Sequence, residues 1–233
     1  MNIPPQAVNK ISKANILEAA GLFNEAEACC LEAIDMINKN DKATLGAIYI
    51  NLGSIAGRAD RTKDAIEYYR KAIEYLKNEK GEAILQNAHC HFNIAKIYFE
   101  QEDEAAIQYS TKALELYTLY PFTQTVDLIE ARILNYLALA YNGKSAKEMD
   151  ARKTWQMMKT SPFSSLNFRL VEEFLSLYLQ LLHKLDLQDY KKTIIEIGKW
   201  ADEVFAQEVS EIIEIGPLAA DLKRKLRNAL RRP

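Results

Sequence analysis

Glycine and proline are scarce in this chain of 233 residues, at 8 and 6. That scarcity excludes collagen-like and Gly/Pro-rich disordered chains. No stretch reaches the roughly 18 consecutive apolar residues of a membrane-crossing helix, and the opening "MNIPPQAVNK" has no basic segment followed by an apolar run. Neither a membrane span nor a secretory leader is therefore expected. Charge of one sign is not in excess: 30 Lys and Arg against 32 Asp and Glu leave a net charge of −2, so no general field draws the protein to nucleic acid or anionic lipid. Cysteine is rare and odd in number. Cys29, Cys30 and Cys90 form no framework of spacings, which suits a reducing compartment and a soluble, cytoplasmic protein. The phosphate-binding glycine loop, G-x-S-x-G and H-E-x-x-H are all missing, so the chain is read as non-enzymatic and without a cofactor.

What is present favours helix. Hydrophobic residues make up 48% and charged residues 27%, with Ala, Leu, Ile, Glu and Lys abundant. The stretch "DAIEYYRKAIEYL" (64–76) returns as "AAIQYSTKALELY" (105–117) and, more loosely, as "EAEACCLEAIDMI" (25–37). Ala26 precedes Ala65 by 39 residues and Ala65 precedes Ala106 by 41. Apolar residues within each copy recur at three and four, which predicts amphipathic helices whose small Ala positions let neighbouring backbones approach. One such helix cannot bury its face alone, so pairs must stack.

Breaks support that division. "NKND" (38–41), "KNEKG" (77–81), "YPF" (120–122) and "SPF" (161–163) interrupt the pattern every 40 residues or so, and shorter turns at "GLFN", "RADRT", "EQED", "NGKS" and "LDLQD" halve each unit. Ser145 with Glu148 reads as a capping box opening a helix. The expected architecture is all-α, about five antiparallel helix pairs in a single domain over 1–233. The units run 7–40, 42–80, 82–120, 123–161 and 164–205, with capping helices at 206–233.

A second motif, "NLGSIA" (51–56), precedes the helix at 64–76, returns as "NIAKIY" (93–98) ahead of 105–117, and recurs loosely as "NYLALAY" (135–141). Leu52-Gly53, Ile94-Ala95 with Tyr98, and Leu137-Ala138 with Tyr141, followed by Ala65, Tyr69 and Ala72, resemble the tetratricopeptide repeat pattern W-x2-L-G-x2-Y…A…F…A. The match is good over 46–117, fair over 7–45 and 124–160, and poor beyond 163. The resemblance implies a right-handed α-solenoid. Its usual unit has 34 residues, whereas Gly53, Ala95 and Ala138 lie 42 and 43 apart, which adds about one turn to each helix. Extended units of that kind are similar to bacterial peptide-sensing regulators and to attachment-protein solenoids.

The resemblance also implies that the first helix of each pair lines a concave groove. On that wall it places Asn15, Asn51, His89, Asn93, Lys96, Arg132, Asn135 and Asn142 as partner-binding residues. An asparagine offers both a donor and an acceptor, so a ladder of them could pair with the backbone of a bound peptide whatever its sequence. The alternative is that each bonds within its own solenoid or caps a turn. Phe92, Phe99, Tyr136 and Leu139 would add contact area. Chaperone-tail-binding members of the family use a clamp of Lys, Asn, Asn, Lys and Arg. Asn15 and Asn51 match its asparagines, but Ile11, His89 and Asn93 replace its basic residues, so a chaperone tail is not expected as ligand.

His89-Cys90-His91 does not read as a metal site, because helical residues two apart point about 200° from each other. Cys29 and Cys30 read as small core residues. The tail "KRKLRNALRR" (223–232), six basic residues in ten, reads as a cap or a coupling helix ahead of polyanion binding. The expected function is a non-enzymatic scaffold holding a protein or peptide in its groove. The alternative is a sensory domain that binds a signal peptide and couples to an output partner through residues 217–233. Nucleic acid is not favoured as a partner, and the weakly matching C-terminal third leaves room for a homodimer.

Overall fold

The computed structural model describes residues 3–120, 125–144, 148–160, 168–185, 191–193 and 195–200. Helix is the only regular structure among them. The elements are α1 (Pro5–Ala19), α2 (Phe23–Met36), α3 (Lys42–Arg58), α4 (Thr62–Leu76), α5 (Glu82–Glu100), α6 (Ala105–Leu119), α7 (Thr125–Tyr141), α8 (Glu148–Lys159) and α9 (Phe168–Leu185). A further helical stretch covers 191–193 and 195–200. The expected all-α fold of consecutive helix pairs, an α-solenoid type, is what the chain adopts. Two compact units divide it, Met1–Gln124 and Thr125–Pro233. The cap at 206–233, with its basic tail and the coupling segment 217–233, lies outside the described residues, as do Ser145, both proline breaks and the turn near 187.

The turn inside each pair is built the same way four times. Gly21 (φ 76°), Asp60 (φ 59°), Glu102 (φ 56°) and Gly143 (φ 65°) all adopt the left-handed conformation directly after the first helix. The residue after each one donates its N–H back across the helix end: Leu22 to Leu17 O, Arg61 to Ala56 O, Asp103 to Tyr98 O and Lys144 to Leu139 O, all at 2.9 Å. The left-handed residue itself donates to a carbonyl three residues back, at 3.0–3.1 Å. This double bond set satisfies carbonyls that a helix C-terminus would otherwise leave bare.

In the first unit, packing within a pair turns on two small residues seven apart on the first helix. Added to Gly53, a Cβ would lie 2.6 Å from Tyr69 Cε1; added to Gly46, it would lie 2.6 Å from Leu76 Cγ. Tyr69 and Leu76 are themselves seven apart on α4, so the two helices mesh antiparallel at both points. The repeat carries this arrangement into the other pairs. Ala7 and Ala14 stand in register with the two glycines, as do Ala88 and Ala95, and all four are fully buried. The partner positions change in step: Cys30 and Ser110 occupy the place of Tyr69, and Ile37 and Tyr117 that of Leu76. Where the first helix offers glycine at the Gly53 position, the second supplies a large ring; where it offers alanine, the second supplies a small side chain. Volume is conserved across the contact, as a close-packed interior requires.

Successive pairs meet along seams. Leu45, Ile48, Leu52 and Ile55 of α3 enter one core with Ala26 and Ala33 of α2, Ile37 just beyond its end, and Ala7 and Ala14 of α1. Across the same seam the Glu27 carboxylate accepts from Arg61 Nη2 and Tyr68 Oη, each at 2.6 Å. Glu18 Oε1 accepts from Ser54 Oγ at 2.9 Å and pairs with Arg58 Nη1 at 3.2 Å. In the second seam Ala83, Cys90 and Ile94 of α5 join Ala56 of α3 and Ala65, Tyr69, Ala72 and Leu76 of α4. Tyr49 stacks on Tyr75 at 5.5 Å, and Tyr98 on Tyr109 at 5.6 Å.

The three cysteines are buried, Cys30 and Cys90 completely, and burial pushes both thiols up to about 12. They are core residues, inert as nucleophiles. In the second unit α7 packs on α8 and α9. Ile133, Leu134 and Leu137 are fully buried, as are Trp155 and Phe174. Lys159 Nζ lies 2.9 Å from Glu196 Oε2 and 5.4 Å from the Trp155 ring, tying α8 to the helical stretch after α9.

Two measurements check this packing. Gly53→Ala should destabilise the protein by about 1–3 kcal/mol in urea or thermal denaturation, because the methyl group overlaps the Tyr69 ring. Gly57→Ala, four residues on in the same helix, should be neutral or stabilising by about 0.5–1 kcal/mol, since its Cβ meets only Ala65 Cβ at 3.9 Å. Equal effects from both would remove the close approach from the account.

The second concerns pH. Partial burial pushes the Glu27 carboxyl up, but the bonds from Arg61 and Tyr68 outweigh it and hold the group below the ordinary carboxylate range. A depressed folded-state pKa gives stability that is full above the unfolded value and is lost as pH falls through the folded one. Denaturation midpoints should therefore drop below pH about 4.5, and Glu27→Gln should flatten that part of the profile.

Candidate functional site

The small residues Gly46 and Gly53 fix which side of α3 faces α4. About 80–140° round the helix from Gly46 stand Ala47, Asn51 and Ser54. The same register on α5 holds His89, Asn93 and Lys96, and on α1 it holds Val8, Ser12 and Asn15. Five residues named from the sequence, Asn15, Asn51, His89, Asn93 and Lys96, thus share one face of the first helices of the first unit. Asn15 is exposed, and the other four are half-buried.

Their bonding differs. Asn93 Nδ2 donates to His89 O at 3.0 Å, one turn back on its own helix, so part of its capacity is spent locally. The Asn51 side chain makes no hydrogen bond to another described residue. Its amide keeps two donors and an acceptor for something else. Lys96 Nζ lies 5.8 Å from the Phe92 ring centre, and His89 sets its ring edge-on to Tyr117 at 5.5 Å. The Glu18–Ser54–Arg58 set borders the same face and ties α1 to α3, with Arg58 5.6 Å from the centre of the Phe23 ring. Nothing local in the sequence announces that set, whose partners stand 36 and 40 residues apart.

The second unit carries the remaining named residues. Arg132 directs its guanidinium to α8, with Nε 3.4 Å from Thr154 Oγ1 and Nη2 3.5 Å from Asp150 Oδ1. Asn142 Nδ2 donates to Ala138 O at 2.8 Å, at the end of α7. Asn135 is out of step with the other asparagines. Ala131 and Ala138, both fully buried, stand where Ala88 and Ala95 do in α5, so the counterpart of Asn51 and Asn93 is Tyr136. That ring is buried and edge-on to Phe174 at 5.4 Å. Asn135 takes the register of Phe92 and Ile50. Of the apolar residues expected to add contact area, Phe92 and Tyr136 are buried and only Phe99 and Leu139 are half-buried.

His89 and His91 lean on different rings, Tyr117 and Tyr109. No group of three or more His, Cys, Asp or Glu among the described residues could hold a metal ion. Burial pushes the His91 imidazole down to about 4, so it is neutral at ordinary pH. No described helix is long and apolar enough to cross a membrane.

Comparison with known proteins bears on this arrangement. Residues 7–78, the first two helix pairs, match the family model for the tetratricopeptide repeat. No curated protein matches significantly. Among solved structures the chain is similar to the crystal structure of BtubC (BKLC) from P. vanneervenii, at 16% sequence identity and a TM-score of 0.60, over 94% of this chain and 80% of that one. Identity so low speaks for the fold alone. The match over residues 7–78, the register of small residues and the repeated turns together support a repeat of the tetratricopeptide type.

Proposed function

We propose that the protein is a non-catalytic interaction scaffold that holds an extended segment of a partner protein against the Asn51–Asn93 face of the first unit. Stacked helix pairs present long continuous surfaces and are widely used for such contacts. The observation that carries the reading is Asn51: half-buried, flanked by the small Ala47 and Ser54, in register with Asn93, and with its amide unspent. A primary amide held rigidly on a helix can bond both N–H and C=O of an extended backbone, which gives affinity with little demand on sequence. The neighbouring side chains are small or polar and leave room for the chain to lie close.

The test takes a partner isolated from extracts of the protein's own cells and measures its affinity by calorimetry. Asn51→Ala with Asn93→Ala should weaken binding about 5- to 100-fold, two hydrogen bonds being worth about 1–3 kcal/mol together. Asn135→Ala, out of register, should leave it unchanged. Parental affinity in the double variant would contradict the reading. A log–log loss of affinity with salt of the slope expected for phosphate contacts would point to nucleic acid instead.

A further inference from the structure

We infer that the seam between the second and third helix pairs is a compliant joint, set by Asn87. This residue lies on the stripe of α5 that carries Cys90 and Ile94, both of which enter the core shared with α4. It is 8% exposed, and its Oδ1 is buried with no hydrogen-bond partner among the described residues. An amide oxygen shut away from water without a donor costs free energy that is recovered when the interface opens and water reaches it.

The repeat supplies the contrast. At the same register in the preceding seam stands Leu45, 3% exposed, and Cys90 likewise replaces Ile48. The first seam is therefore lined by four large aliphatic residues and clamped by the part-buried Glu18 and Glu27 bonds. The second has lost two of those aliphatic residues. Its side-chain bonds from Arg70 to Tyr98 and Tyr109, at 2.9 and 3.2 Å, are exposed to solvent, where they are worth less. The close approach of α4 and α5 past Ala65, Ala72 and Ala83 keeps water away from the amide while the seam is shut. Asn51 and Asn93 stand on either side of this joint, on α3 and α5. Opening of the seam changes the spacing between them, so the joint adjusts the candidate binding face. The joint opens with or without a partner bound, independently of the proposed function.

Hydrogen–deuterium exchange on the full chain, read by mass spectrometry over α5 and α6, tests it. Asn87→Leu restores the residue of the preceding seam and should slow exchange there about tenfold, with little change in α1 and α2. Asn87→Ala removes the amide without adding volume and should slow it in the same direction, keeping the test decisive if leucine overpacks. Asn9→Ala, at an exposed position of α1, measures the gain from helix propensity alone. Exchange in α5 and α6 that is unchanged or faster in both Asn87 variants, or slowed by alanine no more than Asn9→Ala slows α1, would overturn the joint.

Discussion

The distance between the two helices of a pair governs the first unit. It is set where Tyr69 lies against Gly53 and Leu76 against Gly46, so close that even a methyl group on α3 would force one of them to shift. With the helices held that close, Leu52 and Ile55 of α3 and Ala65, Ala72 and Leu76 of α4 are buried. The turn between them must then be tight, and a left-handed residue with two back-bonds makes it so in four successive copies. Small residues on helix surfaces are weak signals singly. Repeated at a seven-residue spacing, with a partner at the Gly53 position that grows as they shrink, they fix both the separation and the register of the pair.

Stacking of pairs is chemically less uniform. One seam is closed by leucines, isoleucines and two bonded glutamates, the next by alanines, a cysteine, an orphaned amide and a row of tyrosines. Interfaces between repeats contribute stability additively along a solenoid, so each can be tuned without disturbing the packing inside the pairs. The upstream face of the first pair shows how far that tuning goes. Lys10 and Glu32, which form an ion pair, stand in register with Tyr49 and Lys71. Gln6, Asn9 and Lys13 stand in register with Leu45, Ile48 and Leu52. A face of that composition is stable against water.

The helical half of this architecture is open to sequence reasoning because periodicity of three and four, small residues at fixed places and Gly- or Asp-containing turns are all local features. The breaks at 38–41 and 77–81 fall between α2 and α3 and between α4 and α5. Which face each asparagine takes is harder to read. Asn135 resembles Asn51 in its neighbours "NYLALA" but lies one position out of step, and only the burial of Ala131 and Ala138 shows that Tyr136 holds the equivalent place. Arg132 and Asn142 are expected in a groove from the repeat pattern; their bonds to α8 and to Ala138 depend on geometry that no spacing rule contains. The Glu18 and Glu27 bonds join residues 34 to 41 apart, beyond any local pattern.

Functional reading depends on the same constraint, since Asn51 and Asn93 share a face only if Gly53 and Ala95 both point at their second helices. A double-mutant cycle on the contact tests this most directly. Tyr69→Cys together with Gly53→Ala reproduces the Ala14–Cys30 combination of the first pair. Equilibrium urea denaturation should show Gly53→Ala costing stability beside the native Tyr69 but costing nothing, or stabilising, in the Tyr69→Cys background, a coupling of at least about 1 kcal/mol. The same cost in both backgrounds would mean that the two helices do not meet there, and would contradict the account.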